Sequence, residues 1–158
     1  MKILLTGITG NLGFEIAHSL RKRDVEIVPA VRNISSLEKL NLPADNAIET
    51  DLVEGFVKFN SNDIDCVVHS AGNVHFEKSG DSNSKMMRSI IRVAKDLKVP
   101  IYYVSTSFLW HEPGSIEVSR NAYESDKSNA ERMLLDSCVP NTIFRPSVLV
   151  GNSESGKL

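Results

Sequence analysis

At 158 residues, with 41% apolar and 24% charged residues, the chain is long enough for one domain with a hydrophobic core. A net charge of −2 removes the electrostatic grounds for expecting nucleic acid or an anionic membrane surface as partner. No apolar run approaches the ~20 residues that cross a bilayer, and the run ahead of Gly7 is too short for a signal peptide, so a cytoplasmic protein is expected.

Lys2–Thr6 reads as a first strand. It leads into Thr6-Gly7-Ile8-Thr9-Gly10-Asn11-Leu12-Gly13, three glycines at intervals of three, and then into a helix marked by Leu12, Ile16 and Leu20. Between strand and helix, Gly7 permits the tight turn, Gly10 the approach of a pyrophosphate, and Gly13 close packing of helix on strand. The helix N-terminus presents N–H groups and a partial positive charge, which makes Thr9, Asn11 and Leu12 candidate cofactor-binding residues beside the glycines. Arg21-Lys22-Arg23 closes the helix, where cations suit its negative end.

Val25–Val31 reads as the second strand. An NAD-binding unit usually carries an acid about 20 residues after the glycines to hold the ribose 2′-hydroxyl. Here Val31 is followed by Arg32, whose guanidinium suits a 2′-phosphate, so NADP(H) is expected ahead of NAD(H). Ala47–Glu49 reads as the third strand; Asp51-Leu52 beyond it reaches the adenine, or Asp51 caps a helix. Ile64–His69 is the fourth strand, and Met86, Met87, Ile90, Val93, Ala94 and Leu97 form the stripe of a second long helix, the two methionines as core filler. Ile101–Ser105 is the fifth strand. Tyr123 and Lys127 share one face of a further helix that continues through Ala130, Met133 and Leu134. The ammonium is expected to lower the phenol below its reference of ~10 and so ease proton exchange. Thr142–Arg145 is the sixth strand. Cys66 and Cys138 both read as buried thiols without metal-ligand company; His18, His75, Trp110 and His111 read as structural or surface residues. Alternating strands and helices of this kind predict a single α/β domain over residues 1–158. Its doubly wound parallel sheet would bind ligand beyond the strand ends.

The glycine segment, together with Tyr123-Glu124-Ser125-Asp126-Lys127 and the following Ser128-Asn129-Ala130-Glu131, resembles the short-chain dehydrogenase/reductase superfamily, in particular its extended branch of epimerase/dehydratase type. The resemblance covers nearly the whole chain. It implies that Tyr123 exchanges a proton with the substrate oxygen, that Lys127 binds the ribose, and that Thr106, in Val104-Ser105-Thr106-Ser107, hydrogen-bonds a substrate carbonyl. It also implies that Ser70, Ala71 and Gly72 lie along the nicotinamide ribose, that Asn83 is the family's helix asparagine, and that Arg145, Pro146, Ser147 and Val148 lie beside the nicotinamide. Within the branch, His69–Phe76 and Val104–Thr106 look most like thioester reductase and fatty acyl-CoA reductase domains, although sugar-nucleotide epimerases and dehydratases share these landmarks. The implied activity is NADP(H)-dependent hydride transfer to a small-molecule carbonyl or acyl-thioester substrate, by a chain that pairs as a homodimer. Two departures temper this. The stretches from His69 to Thr106 and from Thr106 to Tyr123 are short for the branch. The chain also stops at Leu158, after the sixth strand, where the branch goes on to build most of its substrate pocket. A non-catalytic NAD(P)-binding module, a fragment of a longer enzyme, and a scaffold that binds only a protein partner are the alternatives.

Overall fold

Leu4 and Leu5 point to opposite faces of one strand and both are wholly buried, the mark of a strand covered on two sides. That strand, β1 (Lys2–Thr6), is flanked in parallel by β2 (Glu26–Val31) and β4 (Cys66–His69). With β3 (Ile48–Glu49), β5 (Ile101–Val104) and β6 (Asn141–Phe144), the described residues form a parallel sheet of order β3-β2-β1-β4-β5-β6. The computed structural model describes residues 1–42, 44–56, 63–73, 80–109 and 121–147. Strand order reverses between β1 and β4, which opens a crevice at their carboxyl ends.

Alternation along the strands sorts the core into two layers. Leu5, Ile27 and Val31 pack with Phe14 and Ala17 of α1 (Asn11–Arg21) and with Leu37 of the single-turn α2 (Ser35–Glu38). On the other face Leu4, Val28, Val67 and Ile101 meet Met87 and Ile90 of α3 (Ser82–Leu97) and Ala130 and Leu134 of α4 (Ala122–Asp136). The doubly wound sheet expected from the sequence is the one that forms. Pro29 fits inside β2 because pairing with β3 begins one residue later, at Ala30↔Ile48, so on that side no ladder bond is lost.

Strand ends differ from the sequence reading by one or two residues, as hydrogen-bonded pairing starts or stops. α2 is too short to show a period and was not legible. Cys138 is a correction: it is exposed, at φ 60° just past the end of α4, so only Cys66 is a buried thiol and both are free. The left-handed turn swings Cys138 outward while Val139 returns to the core. Over β4, β5 and β6 the face that carries α1 shows an apolar groove of about 410 Å³, between Leu12 and Ile16 on one side and Tyr102 and Phe144 on the other. Among the described residues no helix is long and apolar enough to cross a membrane, and no cluster of side chains could hold a metal.

Candidate functional site

A cleft of about 450 Å³ lies where the strand order reverses, and Gly7, Thr9, Gly10, Ser70, Ala71 and Gly72 line it. Gly7 has φ +74°, and a Cβ there would overlap the backbone of Ser70 and Ala71. A Cβ on Gly13 would run into the Gly7 carbonyl, so helix and turn touch backbone to backbone. Gly10 caps α1 without a side-chain acceptor, and the first turn holds no acid. The positive end of the helix therefore faces the cleft unneutralised, a fit for phosphate. Asn11 opens the helix, whereas the Leu12 side chain turns to the apolar groove and leaves only its backbone for a ligand.

The opposite wall is tied to β1. The Thr6 hydroxyl hydrogen-bonds His69 Nδ1 at 2.7 Å, Ser70 Oγ donates to the Thr6 carbonyl at 2.7 Å, and Ala71 N donates to Thr6 Oγ1 at 3.4 Å. Burial, with the Lys127 charge adding to it, pulls His69 down to about 3, so this imidazole is neutral. Arg32 stands exposed next to Val31 and lines the cleft together with Asp51 and Leu52. Asp51 does not cap a helix: its Oδ1 accepts from Val53 N at 2.9 Å and shapes a turn.

Next to the cleft, which Lys127 reaches at Gly72, three residues expected from the sequence come together. Thr106 follows the last paired residues of β5, where Ser105 N and Ser107 N donate to the carbonyls of Phe144 and Pro146. Its hydroxyl hydrogen-bonds Tyr123, which sits in the first turn of α4. One turn along, Lys127 is buried and donates to Tyr103 Oη at 3.1 Å and to the Val104 carbonyl at 3.3 Å. A Cβ on Gly72 would lie 3.3 Å from Lys127 Nζ and 3.5 Å from Asn83 Oδ1, so these two polar heads meet at the turn after β4. Asn83 holds that turn from both sides: Asn73 N donates to its Oδ1 at 2.9 Å, and its Nδ2 donates to the Asn73 carbonyl at 3.2 Å.

The electrostatics differ from the sequence reading at one point. Burial raises the Tyr123 phenol, opposed by the Thr106 hydrogen bond; Lys127 directs its ammonium at Tyr103 instead of lowering Tyr123. Burial in turn draws Lys127 down to about 8, against the pull of Asp126 and Glu131. The cluster thus offers a protonated phenol and a lysine that titrates near neutrality.

Arg145, which follows β6, is held by α4 and by the segment after Thr106. Its Nε and Nη2 donate to Glu131 Oε1 and Oε2 at 3.0 and 2.5 Å, and its Nη1 donates to the Leu109 carbonyl at 3.0 Å. Pro146 presents its carbonyl to Ser107 N, and Ser147 is exposed. Val148 lies outside the described residues, as do His75, Trp110 and His111.

Several supporting residues escaped the sequence reading. Asn121 caps α4 by accepting from Glu124 N at 2.9 Å, and its Nδ2 donates to Glu124 Oε1 at 3.1 Å. An amide three residues ahead of a glutamate was a legible signal of where the helix starts. Asp126 had no such signal. Asp81, the N-cap residue of α3, makes no capping bond; instead Asn83 N and Ser84 N donate to the Asp126 carboxylate of α4 at 2.7 and 3.0 Å. Ser84 Oγ adds a bond of 2.5 Å. The carboxylate also meets the positive end of α3.

Residues 3–157 match the model of the NAD dependent epimerase/dehydratase family. No curated protein gives a sequence match. Among solved structures, the chain is similar to the Bordetella bronchiseptica enzyme WbmG in complex with NAD, with 19% identity, a TM-score of 0.72, and coverage of 92% of this chain and 52% of that one. A thiolation-reductase di-domain from an archaeal non-ribosomal peptide synthetase gives 21% identity, a TM-score of 0.76, and coverage of 92% and 51%. The dTDP-glucose 4,6-dehydratase of Bacillus anthracis in complex with NAD gives 15%, 0.71, 92% and 54%. The likeness is one of fold, and the chain spans about half the length of these relatives.

Proposed function

Because the chain belongs to the NAD dependent epimerase/dehydratase family, we propose that its cleft holds an NAD(P) dinucleotide and that Thr106, Tyr123 and Lys127 supply the acid–base part of a carbonyl–alcohol interconversion. The observation that carries this is the meeting of a hydrogen-bonded Thr106–Tyr123 pair with Lys127, whose head lies beside Gly72, a residue that lines the same cleft as the glycine-capped N-terminus of α1. The first turn of α1 would hold the pyrophosphate, the Ser70–Gly72 turn and Lys127 the nicotinamide ribose. A bound nicotinamide supplies or accepts the hydride. Thr106 orients the substrate oxygen, and Tyr123, protonated through burial, gives that oxygen its proton or takes it away.

Tyr123→Phe tests the assignment. Removal of the phenol oxygen should lower turnover by about 10²–10⁴-fold while dinucleotide affinity stays near that of the parent. Equal turnover in the two proteins would remove Tyr123 from the chemistry. Binding without turnover in the parent would favour a non-catalytic dinucleotide-binding module.

For the finer choice of cofactor we favour NADP(H), on the exposed guanidinium of Arg32, which lines the cleft where a ribose 2′-phosphate would lie. NAD is the second reading, supported by its presence in the WbmG and dehydratase complexes. Fluorescence titration with NADPH and with NADH separates the two. Arg32→Ala should weaken NADPH by about tenfold or more, the worth of a charged hydrogen bond, and leave NADH unchanged. Equal losses for both would return Arg32 to the solvated surface. As substrate we propose an activated acyl or other carbonyl compound, on the likeness to the thiolation-reductase di-domain; sugar nucleotides are the competing class.

A further inference from the structure

Tyr102 and Tyr103 are neighbours in β5, and alternation sends one outward and the other into the core: Tyr102 is 38% exposed, Tyr103 1%. The Tyr103 side chain meets two polar groups. Its ring stacks on His69, with centroids 5.4 Å apart and planes at 16°. Lys127 Nζ stands 4.9 Å from the ring centroid and 3.1 Å from the phenol oxygen.

A lysine ammonium ends a flexible four-carbon stem and keeps no direction of its own. Here the direction comes from β5, through the Tyr103 hydroxyl and the Val104 carbonyl. We propose that Tyr103 is a positioning residue, a buried clamp that holds the Lys127 ammonium against Gly72 at the ribose end of the cleft. The dinucleotide part of this rests on the reading above; the clamp itself does not.

The surrounding charges suit the role. Burial and the nearby Glu131, Tyr123 and Asp126 push the Tyr103 phenol far above its ordinary range, so it is a neutral acceptor at every working pH. His69 of β4 is neutral as well, so it sets no cation against Lys127. Asp126 and Glu131 of α4 favour the ammonium, and Asn83 of α3 is uncharged. Lys127 is therefore the group that titrates between pH 7 and 9, with its acceptors already in place. Phenylalanine would keep the stack and the ring face but drop the oxygen.

The test uses the full chain and Tyr103→Phe. The Lys127 side chain is followed by NMR across pH in lysine-labelled protein, with NADPH and NADH titrations and thermal melts alongside. Loss of an acceptor that favours the charged form should move the Lys127 midpoint to lower pH. The affinity of whichever dinucleotide the parent binds should fall by about tenfold at pH 8 and recover towards pH 6.5. A purely structural role would lower the melting temperature and leave the Lys127 midpoint in place, and that result overturns the proposal. Single-site 3-fluorotyrosine at position 103, a weaker acceptor of nearly the same shape, should shift the midpoint the same way by less. It keeps the question decidable if Tyr103→Phe does not fold. A parent that binds neither dinucleotide would sink the cofactor reading alone, because the midpoint shift is read without ligand.

Discussion

Glu131→Ala should cost the fold about 3–5 kcal/mol, the range for a broken buried ion pair. Glu131 is wholly buried, and the Arg145 side chain opposite it is 20% exposed. The fork-to-fork geometry is specific to arginine and carboxylate, and the third bond, to the Leu109 carbonyl, draws in the segment that follows Thr106. One pair therefore joins the middle of α4 to the chain just past β6 and to the loop beside the site. Without the carboxylate, the guanidinium keeps its desolvation and loses its counter-charge. Urea unfolding should show the midpoint falling sharply with an unchanged slope. The paired replacement Glu131→Leu with Arg145→Leu should lose clearly less than the two single changes summed, because no orphaned charge is left. Simple additivity would show that the two side chains are not coupled.

Gly13→Ala should destabilise the chain even though alanine in a helix ordinarily gains about 1 kcal/mol over glycine. The new Cβ would meet the carbonyl of Gly7 and come within 2.9 Å of Ile8 Cα, and backbone in a central turn has nowhere to retreat. Overpacking of this kind costs about 1–3 kcal/mol beyond the propensity gain, and it pushes α1 away from the turn that would hold the pyrophosphate. Melting temperature and dinucleotide affinity should fall together. Gly10→Ala is the control: its Cβ finds only the Gly7 oxygen, at 3.4 Å, so the fold should tolerate it while the approach of a phosphate is obstructed. A Gly13→Ala protein that melts higher than its parent would show that helix and turn are not in contact.

The fold was legible wherever burial imposes a period. Lys2–Thr6 is a strand at the residues expected because it is buried on both faces, and α1, α3 and α4 announce themselves by apolar spacing. Short elements carry no period, so α2 passed unseen and β3 shrank to two residues. In the candidate site, residue types that chemistry restricts could be read: the glycines, Thr106, Tyr123 and Lys127. What could not be read is which side chains they face. The Tyr-x-x-x-Lys spacing implies that the ammonium serves the phenol, but the burial of Tyr103 offers Lys127 a nearer partner. Likewise no local signal told that Arg145 would pair with Glu131, fourteen positions earlier. Such pairings depend on how α4 lies against β5 and β6, which no local pattern records.

The carboxylate that α4 lends to the start of α3 has an evolutionary corollary. Asp126 is adjacent to Lys127, and the amides it holds belong to Asn83 and Ser84, so one side chain registers both walls of the site. A descendant chain that loses Asp126 must find another acceptor for those amides, and Asp81, at φ −118° and ψ 21°, is not placed to serve without rebuilding its turn. Positions 81, 84 and 126 should therefore covary among close homologues: a small neutral residue at 126 should accompany a capping serine, threonine or aspartate at the head of α3, and a carboxylate at 126 should release that position to drift.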